Sequence, residues 1–182
     1  MLDLRLASLA LSLGLVSAPA PRQESPEPTA AHERLQTRIG VWEGTMTTFV
    51  PGMDPIELPC REVVTGVGPF WIRIRFEFEF MGVPYTGSGH LGYDPEAGEY
   101  LGNWVDSMTP HLALMRGELQ DDETLVLRWE SPDESGTLLP HRSETVRKDG
   151  TYEAHYFRGE DTPIMDLEMK RVATADEAGA GK

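Results

Sequence analysis

The sequence of 182 residues holds a single cysteine, Cys60. No intramolecular disulfide can form from it, and a metal site built from several thiolates is excluded. A lone cysteine of this kind reads as a small buried hydrophobe. Basic residues are scarce as well: 16 Lys and Arg stand against 30 Asp and Glu, for a net charge of -14. Clustered cations are what hold phosphate. Nucleic acid and anionic membranes are therefore not expected partners. No apolar run is long enough to span a bilayer comfortably. No gap between strand-like segments offers an amphipathic helix of crossover length, so a parallel βαβ sheet is not expected. Catalytic signatures are missing too. Gly87-Ser88-Gly89 lacks the G-x-S-x-G spacing and the strand-turn-helix setting of a nucleophile elbow. His32-Glu33 has no second histidine at zinc-protease spacing, and Asp121-Asp122-Glu123 lacks a calcium-loop ligand series.

What is present begins with an apolar stretch, 6–16, preceded by Arg5 and followed by Ala18-Pro19-Ala20. It reads as a signal segment over residues 1–20, implying export to the periplasm or extracellular space and no membrane attachment after cleavage. Residues 21–29 read as a proline-rich linker. Residues 30–173 form one domain with room for a sizeable core, and 174–182 read as a disordered tail. No motif points to an enzyme.

Thr29 is placed to cap a short helix in which His32, Leu35 and Ile39 share one face before Gly40 stops it. Such a helix cannot persist alone and has to dock. After Gly40 the pattern is β throughout, with strands expected at 42–50, 60–66, 70–81, 86–93, 99–106, 111–119, 124–130, 139–147, 151–157 and 164–172. Turn residues occupy nearly every junction. In Phe70-Trp71-Ile72-Arg73-Ile74-Arg75-Phe76-Glu77-Phe78-Glu79-Phe80 the period is 2, greasy on one face and charged on the other. One-sided strands joined by short turns predict an all-β, antiparallel up-and-down barrel of about ten strands with a short N-terminal helix; closure removes exposed sheet edges. A two-sheet sandwich is the competing architecture.

Gly40-Val41-Trp42, opening the first strand after a short helix, resembles the glycine-x-tryptophan signature of lipocalin-like (calycin) barrels. In that resemblance a late basic residue, here Arg171, packs over the tryptophan and closes the base; Trp42 and Arg171 are accordingly structural. Gly92-Tyr93-Asp94, with Tyr100, Trp104, Asp106 and Ser107 and the preceding His32-x-x-Leu35, resembles the bacterial family known as domain of unknown function 1579. The likeness runs from about Ala31 to Arg171. Met169 stands where the family often shows tyrosine. The resemblance implies a lipocalin-like barrel and brings no established activity.

The hairpin Thr86–Met108 is the best candidate for a cavity wall. Its first strand is rich in small residues, and Tyr100, Gly102, Trp104 and Asp106 share one face of its second. The expected function is non-catalytic binding of a small apolar or amphipathic ligand inside the barrel. Trp104, His90, His111, Asp106 and Tyr156 are the expected lining, and the protein is a monomer or weak homodimer. Asp106 also suits a turn cap. No cofactor or metal is expected. Two alternatives stay open: a haem- or metal-binding barrel using His90 or His111, and a structural or interaction domain with a filled core.

Overall fold

The computed structural model describes residues 26–133 and 135–174. The proposed signal segment and most of the linker and tail lie outside the described residues. One helix, α1 (Ala30–Gln36), precedes ten strands: β1 (Gly40–Thr48), β2 (Ile56–Val67), β3 (Trp71–Phe80), β4 (Val83–Asp94), β5 (Glu99–Asp106), β6 (Ala113–Leu119), β7 (Leu125–Pro132), β8 (Leu138–Lys148), β9 (Thr151–Arg158) and β10 (Thr162–Ala173). Each strand pairs antiparallel with its neighbours in sequence, and β1 pairs with β10 to close the barrel. The sandwich alternative is thereby ruled out.

The alternation of β3 is realised. Ile72 and Phe76 are buried inside, and Arg73 and Arg75 stand outside. Glu77 is not simply solvated, because Arg75 and Arg61 approach it on the outer face. Of the boundaries that differ from expectation, two bear on the interior. β6 starts at Ala113, so His111 belongs to the β5–β6 loop. Asp106 Oδ1 accepts the Met108 and Thr109 N–H groups at 2.8 and 3.0 Å, and Pro110 follows, so the chain turns there instead of extending. The helix ends at Gln36, short of Ile39. Its last turn tightens through Arg38 N–H to Leu35 C=O and Ile39 N–H to Gln36 C=O.

The helix docks on the end of the barrel where β1 begins. His32 is buried on its inner face; its Nδ1 accepts the Thr29 N–H at 3.0 Å, which leaves Nε2 to donate to Tyr93 C=O at 3.0 Å. That one ring ties the helix cap to β4. At the helix C-terminus Arg147 reaches Arg34 C=O and Thr37 C=O, and Arg171 also donates to Thr37 C=O. Cations thus satisfy the orphan carbonyls. Trp42 is fully buried beneath them. Its Nε1–H donates to Arg38 C=O at 2.9 Å, and the Arg171 guanidinium lies 4.5 Å from its ring centre. This is the closure the lipocalin resemblance implied. Gly40 enters β1 at φ +147, and a Cβ there would come within 2.7 Å of Ala173 C=O, so only glycine lets the first and last strands meet.

Trp42, Val64, Ile72, Leu91, Tyr100, Tyr152 and Met169 fill the helix end of the barrel. Cys60 is buried among them, and burial pushes its thiol up to about 12. A thiol so protonated and shielded is a poor nucleophile. At pH 8 an aromatic disulfide reagent is therefore expected to leave native Cys60 unlabelled over hours and to react within minutes in denaturant. Fast labelling of the native protein would place Cys60 at the surface.

Candidate functional site

The other half of the barrel is hollow. A cavity of about 340 Å³ lies above the filled end, at the lower limit of ordinary ligand pockets, about 300–1,000 Å³. One side of it is aromatic and aliphatic: Ile74, Phe76 and Phe78 from β3, Leu91 from β4, Trp104 from β5 and Met115 from β6. The other side, from β8 and β9, carries Ser143, Thr145, Tyr152 and Tyr156. A filled-core reading does not fit this interior.

Trp104 takes its position from the glycines of β4. A Cβ on Gly87 would fall inside the indole, and one on Gly89 would meet Trp104 Cε3 at 2.8 Å as well as Asn103 C=O. The ring therefore lies flat along β4, with Nε1–H donating to the Tyr85 hydroxyl at 3.2 Å. Burial pushes the Tyr85 phenol up to about 12, against the opposing effect of that indole hydrogen bond and with a further rise from Asp106. Tyr85 in turn stacks on Phe78 at 4.4 Å. The small-residue strand marks a close approach, and the approaching group belongs to the protein itself.

Of the residues expected in the lining, Trp104, Asp106, His111 and Tyr156 border the cavity together. Asp106 doubles as the cap of its loop. Tyr156 is held neutral by burial and by the Glu62 charge, which raise its pKa. His90 runs along the cavity wall but is exposed. Strand alternation puts its side chain on the face opposite Gly89 and Leu91. His90 lies on β4 and His111 in the loop after β5, so the two are not on neighbouring strands. Among the described residues no group of three or more His, Cys, Asp or Glu is placed to hold a metal ion.

Sequence reasoning missed the cavity floor. Arg38 and Glu62, 9% and 5% exposed, form a salt bridge of 3.1 Å there. Burial opposes the Arg38 charge, but Glu62 and the nearby phenols outweigh it and its pKa lies above the ordinary value. Tyr152, edge-on to Trp42 at 5.3 Å, completes the floor; its pKa is raised by burial first and by Glu62 second. Arg38 lies in the turn after a short helix and Glu62 is one of many acidic residues in alternation. Only the inward parity of β2, with Cys60 and Val64 as its neighbours on that face, could have flagged Glu62.

The barrel wall is split on one side. β6 pairs with β7 only from Arg116↔Arg128 to Leu119↔Leu125, whereas β6 pairs with β5 up to Ala113 and β7 pairs with β8 out to Pro132. Above Arg116 the seam between β6 and β7 is bridged by His111 Nε2–H donating to Glu130 C=O at 3.2 Å. His111, Trp129 and His141 border both the inner cavity and an outer hollow at this seam. His141 stacks on Trp129 at 5.6 Å, and its Nδ1–H donates to Leu139 C=O at 2.9 Å. Burial lowers its pKa, helped by the Arg158 charge and opposed by that hydrogen bond. The lowered pKa favours the neutral form of that ring.

A helix-plugged, closed antiparallel meander with an apolar hollow and a guanidinium over the first tryptophan is a lipocalin-like barrel. The chain belongs to the DUF1579 family, described as a protein of unknown function, whose model matches residues 27–171. The same fold occurs in the crystal structure of Rv2717c from M. tuberculosis, at 13% identity and a TM-score of 0.57, over 80% of this chain and 99% of that one. Among curated proteins, none matches this chain.

The family-signature residues now have physical roles, nearly all architectural. Gly92 seats the Trp71 ring on the outer face. Tyr93 supplies the carbonyl that holds His32, and Asp94 Oδ1 accepts two N–H groups of the β4–β5 turn. The Ser107 hydroxyl accepts the Thr86 N–H at 3.1 Å. Trp104 and Asp106 are the two among them that border the hollow.

Proposed function

We propose that this barrel is a non-catalytic binder of one small, flat, apolar or amphipathic molecule, held in the hollow half of its interior. The observation that carries the reading is a cavity of about 340 Å³ between an aromatic wall and a wall of hydroxyls. Its volume corresponds to about eleven waters, at roughly 30 Å³ each. That favours a one- or two-ring compound over a long chain. Burying about 150–250 Å² of such a ligand at about 25 cal/mol per Å² gives ~4–6 kcal/mol. Shape alone thus supports a Kd between about 1 mM and some tens of micromolar. Hydrogen bonds to the hydroxyl wall tighten it further.

Naphthalene tests the cavity without using any polar contact. We expect saturable 1:1 binding that is at least tenfold weaker in Ala113→Phe, whose ring projects from a buried cavity-lining position. The far-UV circular dichroism of that variant should be unchanged; if it fails to fold, Met115→Trp fills the same space. Absence of binding, or binding indifferent to both fillings, contradicts the reading.

A further inference from the structure

Beneath the cavity floor the helix end of the barrel gathers four guanidinium groups, those of Arg34, Arg38, Arg147 and Arg171, in a chain whose net charge is -14. Among the described residues two carboxylates pair with them: Glu62 with Arg38, and Glu123 with Arg34. Arg147 shows the effect. Burial, followed by the charges of Arg38, Arg34 and Arg171, lowers its pKa to about 10. A region with uncompensated positive charge and little water attracts an anion far more strongly than the same charges would in solvent.

Arg38 is the guanidinium that reaches the cavity. It gives Nη2 to Glu62, while its Nε is buried with no acceptor among the described residues. The Tyr152 hydroxyl beside it, on a residue 3% exposed, is also without a hydrogen-bond partner. Beyond the effect of burial, the Glu62 carboxylate beside it raises its pKa by charge and by hydrogen bonding, although no acceptor among the described residues lies within hydrogen-bond distance of its oxygen. Buried donors left in this way are uncommon, and each costs free energy unless something accepts from it. Both belong to residues at the floor of one cavity, opposite its mouth.

We infer that the ligand is a small aromatic monoanion, a carboxylate, whose charged group takes the Arg38 Nε–H and the Tyr152 O–H while its rings lie against Trp104 and Phe76. This rests on the cavity-binding reading and narrows it by ligand class. The carboxylate supplies acceptors to two donors that lack them, and its charge offsets the surplus of the four guanidiniums. A cationic head group is rejected by the same field. A neutral one satisfies the donors without balancing the charge.

The test compares 1-naphthoate with 1-naphthamide, which have the same shape and both offer a carbonyl oxygen but differ in charge, with naphthalene as the headless reference. Titration calorimetry at pH 7 on the full barrel is expected to show 1-naphthoate binding at least tenfold tighter than 1-naphthamide. The charge-neutral double variant Arg38→Met/Glu62→Leu should abolish that preference, read as the ratio of the two affinities in the same protein. Tyr152→Phe should lower the affinity for 1-naphthoate severalfold relative to that for naphthalene in the same variant, which gives an independent reading if the double variant does not fold. Equal or weaker binding of 1-naphthoate relative to 1-naphthamide overturns the anion assignment while the cavity reading stands. Failure of all three compounds to bind overturns both.

Discussion

Trp42→Ala is expected to cost 3–5 kcal/mol, the range for removing a large aromatic from a packed interior, and to lower the melting temperature by roughly 6–20 °C. Three contacts are lost together. The side chain is fully buried, so its removal leaves a void between β1 and β9, where it meets Tyr152. The Arg38 carbonyl loses its indole donor. The Arg171 guanidinium loses the ring beneath it, a contact of about 0.5–2 kcal/mol. Against a total stability of about 5–15 kcal/mol, the chain sits close to unfolding at physiological temperature. Trp71→Ala is the control, since that indole lies on the outer face and is 37% exposed. Chemical denaturation of the two variants checks the expectation. If Trp42→Ala were no more damaging than Trp71→Ala, the helix end would not be where the barrel is held shut.

Glu62→Ala is expected to be comparably severe for a different reason. It leaves the Arg38 guanidinium buried among other guanidiniums without its carboxylate. Breaking a buried pair by removing one partner costs about 3–5 kcal/mol, whereas replacing both by apolar residues of similar size is often neutral. Arg38→Met/Glu62→Leu should therefore recover most of the stability lost in Glu62→Ala, and urea midpoints of the three proteins measure it. Equal loss in the single and double variants would mean that the pair acts through shape and not through charge.

Strand order and closure were legible in the sequence because they depend on local rules. Alternation in β3 and β10, turn residues between strands, and Gly40 with Trp42 at one end and Arg171 at the other each act over short stretches or fit a known pattern. His111 was misplaced because its neighbourhood reads as strand until Asp106 is seen capping the loop. Glu62 and Arg38 escaped because inward parity has to be known before a charge in an alternating strand can be recognised as buried. The split between β6 and β7 also leaves little trace in residue types, since it is a failure of pairing between two strands that are each well formed. Gly87 and Gly89 announced that something would approach β4 closely, but not that it would be Trp104.

The most direct measurement is a crystal structure of the protein soaked with 4-bromobenzoate, using the anomalous signal of bromine to locate the ligand without bias. The expected result is a dominant bromine peak inside the barrel, between Trp104 and Leu127, with the carboxylate toward Arg38 and Tyr152. An interior without a bromine site at saturating concentration, or a dominant site only in the outer hollow beside Leu114 and Leu138, would contradict binding within the barrel.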